Sequence, residues 1–320
     1  MKRILLVRLS SLGDVLHTFP AVTDLARALP DAELDWVVEE AYVPLVRMHP
    51  AVSHAIPFAL RRWRRGLLRA GVWREIGAFR HALRDRAYDA VIDAQGLVKS
   101  AWVADLARGR VHGYSRAAAR EPLAARFYRF KYDVGPELHS VERYRLLLAK
   151  VLGYQPAAGI DYGIAAPPRP PFAPAGAYAV LLHSTARTEK LWPESSWTDL
   201  GRALESRGLA CVLPWGEESE RGRADRLARS LGHALVAPRL SLVEAAGLIG
   251  HATVVVGLDT GLMHLAVALR TPVVAIFCSS DPVRTGPLGS GPIAIRGGLG
   301  DPPSAGAVLA ALDEVAPALA

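Results

Sequence analysis

Between Arg3 and His17 the chain passes from an apolar, β-rich run, through Ser10-Ser11-Leu12-Gly13-Asp14, into a helix-period pattern. That is a strand, a tight loop and a helix start, the first unit of an open α/β sheet. No other stretch constrains the fold as strongly, because the alternation it begins recurs to the end of the chain. Ligands of such sheets sit at the carboxyl ends of the strands, where this loop must lie. Asp14 then offers a carboxylate to the ligand crevice. It reads as a catalytic base, with a helix cap as the competing role, since Asp is a favoured cap residue.

After this loop, Pro20 is expected to start the helix proper, whose apolar stripe runs through Phe19, Val22, Leu25 and Leu29. Strands are expected at 34–38, 55–57, 88–96 and 111–114, and helices at 78–86 and 139–152. A proline-rich stretch follows, from Gln155 to Gly176, and there the domain boundary is expected. The second half restarts the alternation, with strands at 178–183, 209–214, 253–257, 273–277 and 293–296 and helices between them. The reading is two doubly wound, Rossmann-like domains facing a central cleft. Their bounds are 1–155 and 177–320, joined by a 156–176 linker, and 320 residues suit two domains.

Charge divides the halves. Residues 1–150 carry 25 Lys and Arg against 16 Asp and Glu, while 151–320 carry 13 against 15. A basic first half points to an anionic partner there. The densest run, Arg61-Arg62-Trp63-Arg64-Arg65, is either a solvated face or a clamp for phosphates and carboxylates. Trp63, Leu67 and Leu68 add apolar surface suited to a membrane interface. No apolar run is long enough to span a membrane, and no signal peptide is read at the start. Cys211 and Cys278, in apolar surroundings without a spacing motif, read as buried thiols of a reducing compartment.

Several chemistries lack their motif. There is no Gly-x-Gly-x-x-Gly after a strand, no Walker sequence, no zinc spacing and no Gly-x-Ser-x-Gly elbow. Three strand-end loops of the second half remain. Asp259-Thr260-Gly261 opens a helix whose amides and dipole suit an anion, with His264 one turn on; capping and packing are the plainer roles. Ser184 to Pro193 carries hydroxyls and Lys190, a cation able to offset charge on a leaving diphosphate. Trp215 to Glu220 holds several acids, any of which could accept from a ribose. Together they describe a nucleotide-diphosphate pocket.

The chain resembles the ADP-heptose:lipopolysaccharide heptosyltransferases, glycosyltransferase family nine, over nearly its whole length. The likeness rests on Ser10 to Thr18, Trp36 to Glu40, Arg61 to Arg64 and Asp89 to Ser100. It continues in Ala119 to Leu123, Leu213 to Gly216, and Asp259-Thr260-Gly261 with His264. It implies a GT-B fold and transfer, with inversion, of heptose from ADP-L-glycero-D-manno-heptose to a Kdo residue of Kdo2-lipid A. It implies Asp14 as base, Lys190 at the leaving phosphate and Glu220 at the ribose. Asp259, Thr260, Gly261 and His264 would hold diphosphate and heptose, and Ser10, Gly13, Thr185 and Leu240 complete the donor set. Arg61, Arg62, Arg64, Arg65, Lys99 and Arg120 suit an anionic acceptor. The sequence departs from the family pattern at Ala186, where a second threonine is usual. No metal, cofactor or nucleic acid is implied. The expected protein is a monomer, peripheral on the cytoplasmic face of the inner membrane. Two other readings are an enzyme acting on an already heptosylated core, and a non-catalytic nucleotide-sugar or lipid-surface binding protein.

Overall fold

The computed structural model describes residues 2–185 and 187–319, without the side chain of Leu319. The chain divides into two compact units, Met1–Gly163 and Ile164–Ala320.

The first unit has strands β1 (Arg3–Val7), β2 (Glu33–Glu39), β3 (Val52–Phe58), β4 (Ala87–Asp93), β5 (Arg108–Tyr114) and β6 (Phe130–Tyr132). Its helices are α1 (Leu12–Ala28), α2 (Val43–Val46), α3 (Leu60–Arg64), α4 (Ala70–Asp85), α5 (Val98–Asp105) and α6 (Ser140–Leu152). The second unit has β7 (Tyr178–Leu182), β8 (Ala210–Leu213), β9 (Ala234–Val236), β10 (Val254–Leu258), β11 (Val273–Phe277) and β12 (Ile293–Gly297). Its helices are α7 (Glu194–Ser206), α8 (Glu218–Arg229), α9 (Leu242–Gly250), α10 (Gly261–Ala268), α11 (Pro282–Thr285) and α12 (Ala305–Val315).

Both sheets are parallel and share one order, β3-β2-β1-β4-β5-β6 and β9-β8-β7-β10-β11-β12. In each, the order reverses direction between the first and fourth strands, the switch point where open sheets bind ligands. Val7 pairs with Asp93 and Leu182 with Gly257, so at each switch point two loops leave side by side. Helices cover both faces, which is why Ile4 to Val7 and Val254 to Val256 are fully buried and read as unbroken apolar runs. This is the two-domain α/β architecture expected.

Two helices differ from the sequence reading. α1 starts at Leu12 and carries Pro20 in its interior rather than at its start. An interior proline forfeits the N–H that would reach Leu16 and costs about 3 kcal/mol. Packing overrides that cost. Residues 15–25 are buried, and α6 braces α1 on both sides of Pro20, through Tyr144 to Asp14 and Arg145 to Asp24. α4 begins at Ala70, eight residues before the expected 78. Val72, Ile76, Phe79 and Leu83 face the core at helical spacing. Arg74, Glu75 and Arg80 lie outside on the same helix, and their charge hid the pattern.

The proline-rich stretch is docked rather than free. Arg145 donates to the carbonyls of Ala157 (2.6 Å) and Gly159 (2.9 Å) in the first unit. In the second, the His251 ring meets the Pro167 carbonyl at 3.0 Å. A Cβ on Gly247 of α9 would lie 2.4 Å from the Pro168 carbonyl oxygen, so only glycine allows this approach. Prolines donate nothing, and their carbonyls become the handles. Cys211 and Cys278 are both free and buried.

Candidate functional site

At the first switch point, β1 ends and Arg8 turns inward. It is 1% exposed, donates from Nη1 to the Ala94 carbonyl (2.9 Å) and from Nη2 to the Tyr144 hydroxyl (2.6 Å). The same Nη2 lies 2.6 Å from Asp14 Oδ1. Tyr144 in turn donates to Oδ1 at 3.1 Å. Arg120 Nη1 stands 3.7 Å from Oδ2. Asp14 also occupies the third position of α1, where Oδ2 accepts from Ser11 N and Oγ, both at 3.2 Å. Cap and charged site are therefore one carboxylate. Burial pushes its carboxyl up, but Arg8 first, then Arg120 and His17, outweigh that and hold it at about 2. Burial and Asp14 push the Tyr144 phenol up to about 12 against the pull of Arg8, so it stays a donor. Asp14 remains 18% exposed, ionised and open on one side.

The neighbouring loop after β4 is rigid. Asp93, fully buried, accepts from Gln95 N (2.8 Å), Gly96 N (3.2 Å), Ser100 Oγ (2.9 Å) and Tyr128 (2.7 Å). Gln95 Oε1 accepts from Leu9 N at 2.9 Å, tying the two loops together. Gly96 has φ +72°, and a Cβ there would lie 3.2 Å from Arg120 N, which brings Arg120 up beside Asp14. Ser10 is buried, and Gly13 and Lys99 are half-buried at the starts of α1 and α5.

The arginine run does not act as one block. Arg62 is tied up: Nε and Nη2 donate to Glu40 (2.9–3.2 Å) and Nη1 to Glu75 (2.7 and 3.0 Å). Arg61 lies 3.3 Å from Glu39. Arg64 and Arg65 are exposed and make no ion pair among the described residues. Trp63 is buried, packing edge-on against Phe58 and donating to Glu75. It is a core residue, not apolar surface.

At the second switch point, Lys190 Nζ lies 2.5 Å from Asp259 Oδ2, which also accepts from Ser280 Oγ at 2.8 Å. His264 Nε2 is 3.8 Å from Oδ1. Burial pushes the Asp259 carboxyl up, but His264, Lys190 and Ser280 overcome this and hold it well below the carboxylate range. Thr260 precedes α10 in extended conformation and its side chain makes no cap bond to the amides of the first turn. Ser184 and Thr185 are half-buried on the loop after β7. The Ser184 hydroxyl is 2.8 Å from Nδ1 of His183, whose imidazole burial holds down at about 4. Ala186 lies outside the described residues.

Glu220 sits at the third position of α8, where Oε2 accepts from Gly216 N (2.7 Å) and Glu217 N (3.2 Å). Glu217 and Glu218 are exposed. Leu240 is half-buried, just before the Ser241 cap of α9. Among the described residues, Glu33, Asp35 and His54 form the one trio with metal-ligand spacing, and Arg3, Arg86 and Tyr88 already engage its carboxylates.

Sequence reasoning missed Arg8, Tyr144 and Ser280. Arg8 carried a usable signal: an arginine closing an otherwise buried strand needs a buried acceptor. Tyr144 and Ser280 carried none, since only the fold brings α6 and the loop after β11 to these acids.

A model of glycosyltransferase family 9 (heptosyltransferase) matches residues 76–306. Lipopolysaccharide heptosyltransferase 1 of Pseudomonas aeruginosa is 47% identical over 292 residues, covering 90% of this chain and 81% of that protein. Among solved structures, E. coli heptosyltransferase WaaC with ADP superposes with a TM-score of 0.91 at 42% identity, covering 98% of this chain and 100% of the other. The same enzyme with ADP-2-deoxy-2-fluoro heptose gives 0.87 at 42% identity, covering 98% and 99%.

Proposed function

The chain belongs to glycosyltransferase family 9, the heptosyltransferases, and from that premise we propose that it moves heptose from ADP-L-glycero-D-manno-heptose to a Kdo residue of Kdo2-lipid A, in lipopolysaccharide inner-core synthesis. The donor is supported by the fluoro-heptose complex of a relative covering nearly the whole chain, and the lipopolysaccharide acceptor by a relative's name.

The observation that carries the mechanism is the ionised, part-exposed Asp14 with Arg8 buried behind it. The acceptor hydroxyl donates to Asp14. Its oxygen attacks the anomeric carbon from the face opposite the diphosphate, the bond from that carbon to the phosphate oxygen breaks, and the configuration inverts. The proton passes to Asp14. A carboxylate held at about 2 is a weak base toward a neutral alcohol, so transfer comes late, when bond formation has made the hydroxyl acidic. Arg8 and Tyr144 hold the carboxylate in place and touch no substrate.

The departing ADP takes the electron pair. Lys190 and the amides at the start of α10 stabilise its charge. Lys190 exchanges Asp259 for phosphate, while Asp259 keeps its bond from Ser280 and the nearby His264. Thr185, Thr260 and Gly261 flank the diphosphate, Ser10 and Gly13 reach the donor from beside Asp14, and Glu220 and Leu240 serve the adenosine. Arg64, Arg65, Lys99 and Arg120 meet the acceptor's carboxylates and phosphates, with Arg61 released from Glu39 as a further contact. Leu67, Leu68 and Trp73 are exposed among Arg64, Arg65 and Arg69, a composition suited to an anionic membrane surface. No helix among the described residues is long and apolar enough to cross a membrane.

The test is transfer by the purified protein, read as ADP release and product mass. Kdo2-lipid A should be converted to a product one heptose heavier. Conversion only of an already heptosylated core would move the acceptor one step along. Donor binding without turnover on either would sink the enzymatic reading.

A further inference from the structure

Three loops meet at the acid of the second switch point. Asp259 follows β10, Lys190 comes from the loop after β7, and Ser280 from the loop after β11, the strand paired with β10. The Ser280 hydroxyl is 2.8 Å from Asp259 Oδ2, the same oxygen that Lys190 Nζ holds at 2.5 Å. An ionised carboxylate only accepts, so Ser280 is the donor of this bond. A serine hydroxyl has one proton, and while it is given to Asp259 none is left for a phosphate. Ser280 therefore serves the acid rather than a ligand.

The loop holds that hydroxyl in a fixed place. On one side Gly300 N donates to the Cys278 carbonyl at 3.2 Å. On the other Asp281 Oδ1 caps α11 by accepting from Val283 N at 2.9 Å. The neighbouring Ser279 is turned elsewhere, and its Oγ has no hydrogen-bond partner among the described residues.

Burial makes the Ser280 bond matter. The Asp259 side chain is 13% exposed, so water meets little of its charge. While Lys190 is in place, that charge is neutralised. Once Lys190 turns to a diphosphate, the groups left at Asp259 among the described residues are Ser280 and His264, the latter 3.8 Å from Oδ1. A hydrogen bond to an unneutralised buried carboxylate is stronger than one to a carboxylate already paired. Ser280 thus stabilises the state without Lys190 more than the state with it, and lowers the cost of the exchange.

We propose that Ser280 is a positioning residue that lets Lys190 leave Asp259 for the diphosphate of the donor. This rests on the nucleotide-diphosphate reading of the site given above. Ser280 touches neither substrate nor reacting atoms, and acts through Asp259 on a cation.

The experiment is a double-mutant cycle read by calorimetry, with ADP alone as the probe. Ser280→Ala should bind ADP about fivefold more weakly than wild type, and Ser280→Thr, which keeps the hydroxyl, should stay within about twofold. Ser279→Ala should bind as wild type does, and controls for disturbance of the loop. In a Lys190→Ala background there is no exchange, and free and bound states lose the Ser280 bond alike. There Ser280→Ala should change affinity by less than about twofold. With donor and acceptor saturating, Ser280→Ala should keep kcat within about twofold, the loss appearing in donor KM. A loss of ADP affinity that persists undiminished in Lys190→Ala overturns the proposal, since Ser280 would then touch the phosphate itself. So does an equal loss in Ser279→Ala. Unchanged or tighter ADP binding by Ser280→Ala with Lys190 present also overturns it, as does a fall in kcat at unchanged ADP affinity. Coupling of Ser280 to Lys190 without transfer to any acceptor would support the proposal and reject the proposed activity. Absence of ADP binding by wild type would overturn both.

Discussion

The two switch points are built on the same strand order and loop positions, yet they handle charge in opposite ways. At the first, the cation is buried and the acid faces outward: Arg8 is 1% exposed and Asp14 18%. At the second, cation and acid are similarly accessible, Lys190 at 17% and Asp259 at 13%, and they are paired with each other. Arg8 is buried behind the acid, so Asp14 is held in place and ionised at neutral pH. Lys190 is part-exposed, and the proposed function has it exchange Asp259 for an arriving anion. One fold thus carries a fixed carboxylate at one switch point and an accessible ion pair at the other, decided by which partner the core takes in, and this is the difference on which the proposed roles of proton acceptor and anion clamp rest.

Removing one charged member at each switch point, the acid at the first and the cation at the second, should break the comparison most sharply. Asp14→Asn keeps the cap geometry and should lower kcat about 10³-fold in a single-turnover assay. Lys190→Ala should lower kcat by about 10²-fold, because the α10 amides still face the phosphate, and should weaken ADP binding as well. Equal losses from the two variants at every step would mean that the half-sites are not specialised.

Arg8→Met probes the fixed side. It removes the bonds to Ala94 and Tyr144 together with the partner of Asp14, and should cost about 2 kcal/mol in urea unfolding. The sign of the pH dependence follows from the lowered carboxyl. The pair's contribution is fully present above the unfolded Asp value of about 4 and is lost as pH falls through about 2. Wild type and Arg8→Met should therefore converge in stability as pH drops across that window. A gap that stayed constant would show that Arg8 acts by packing alone.

The smallest effects belong to the arginine run. Arg64→Ala should raise acceptor KM about threefold, while Arg62→Ala, whose donors Glu40 and Glu75 already take, should leave it nearly unchanged. The reverse order would return Arg62 to the acceptor site.

Particular residues show how far the sequence reached. The strand–loop–helix at Arg3 to His17 and the helix opening at Asp259 were legible, because alternation and turn chemistry are local signals. Asp14 and Lys190 were legible as candidates for the same reason. The partners that set their charge were not. Tyr144 lies 130 residues from Asp14, and Ser280 reaches Asp259 across 21. Pro20 misled because a local rule was overruled by burial, and Arg62 because pairing with Glu75 needs α4 in place.

The central claim is the separation of duties between the two acids' surroundings, and donor affinity tests it most directly. ADP-heptose binding should be measured by calorimetry for wild type, Asp14→Asn and Lys190→Ala. The account predicts wild-type affinity for Asp14→Asn and an affinity about tenfold weaker for Lys190→Ala. Loss of donor binding in Asp14→Asn, with Lys190→Ala unaffected, would contradict it.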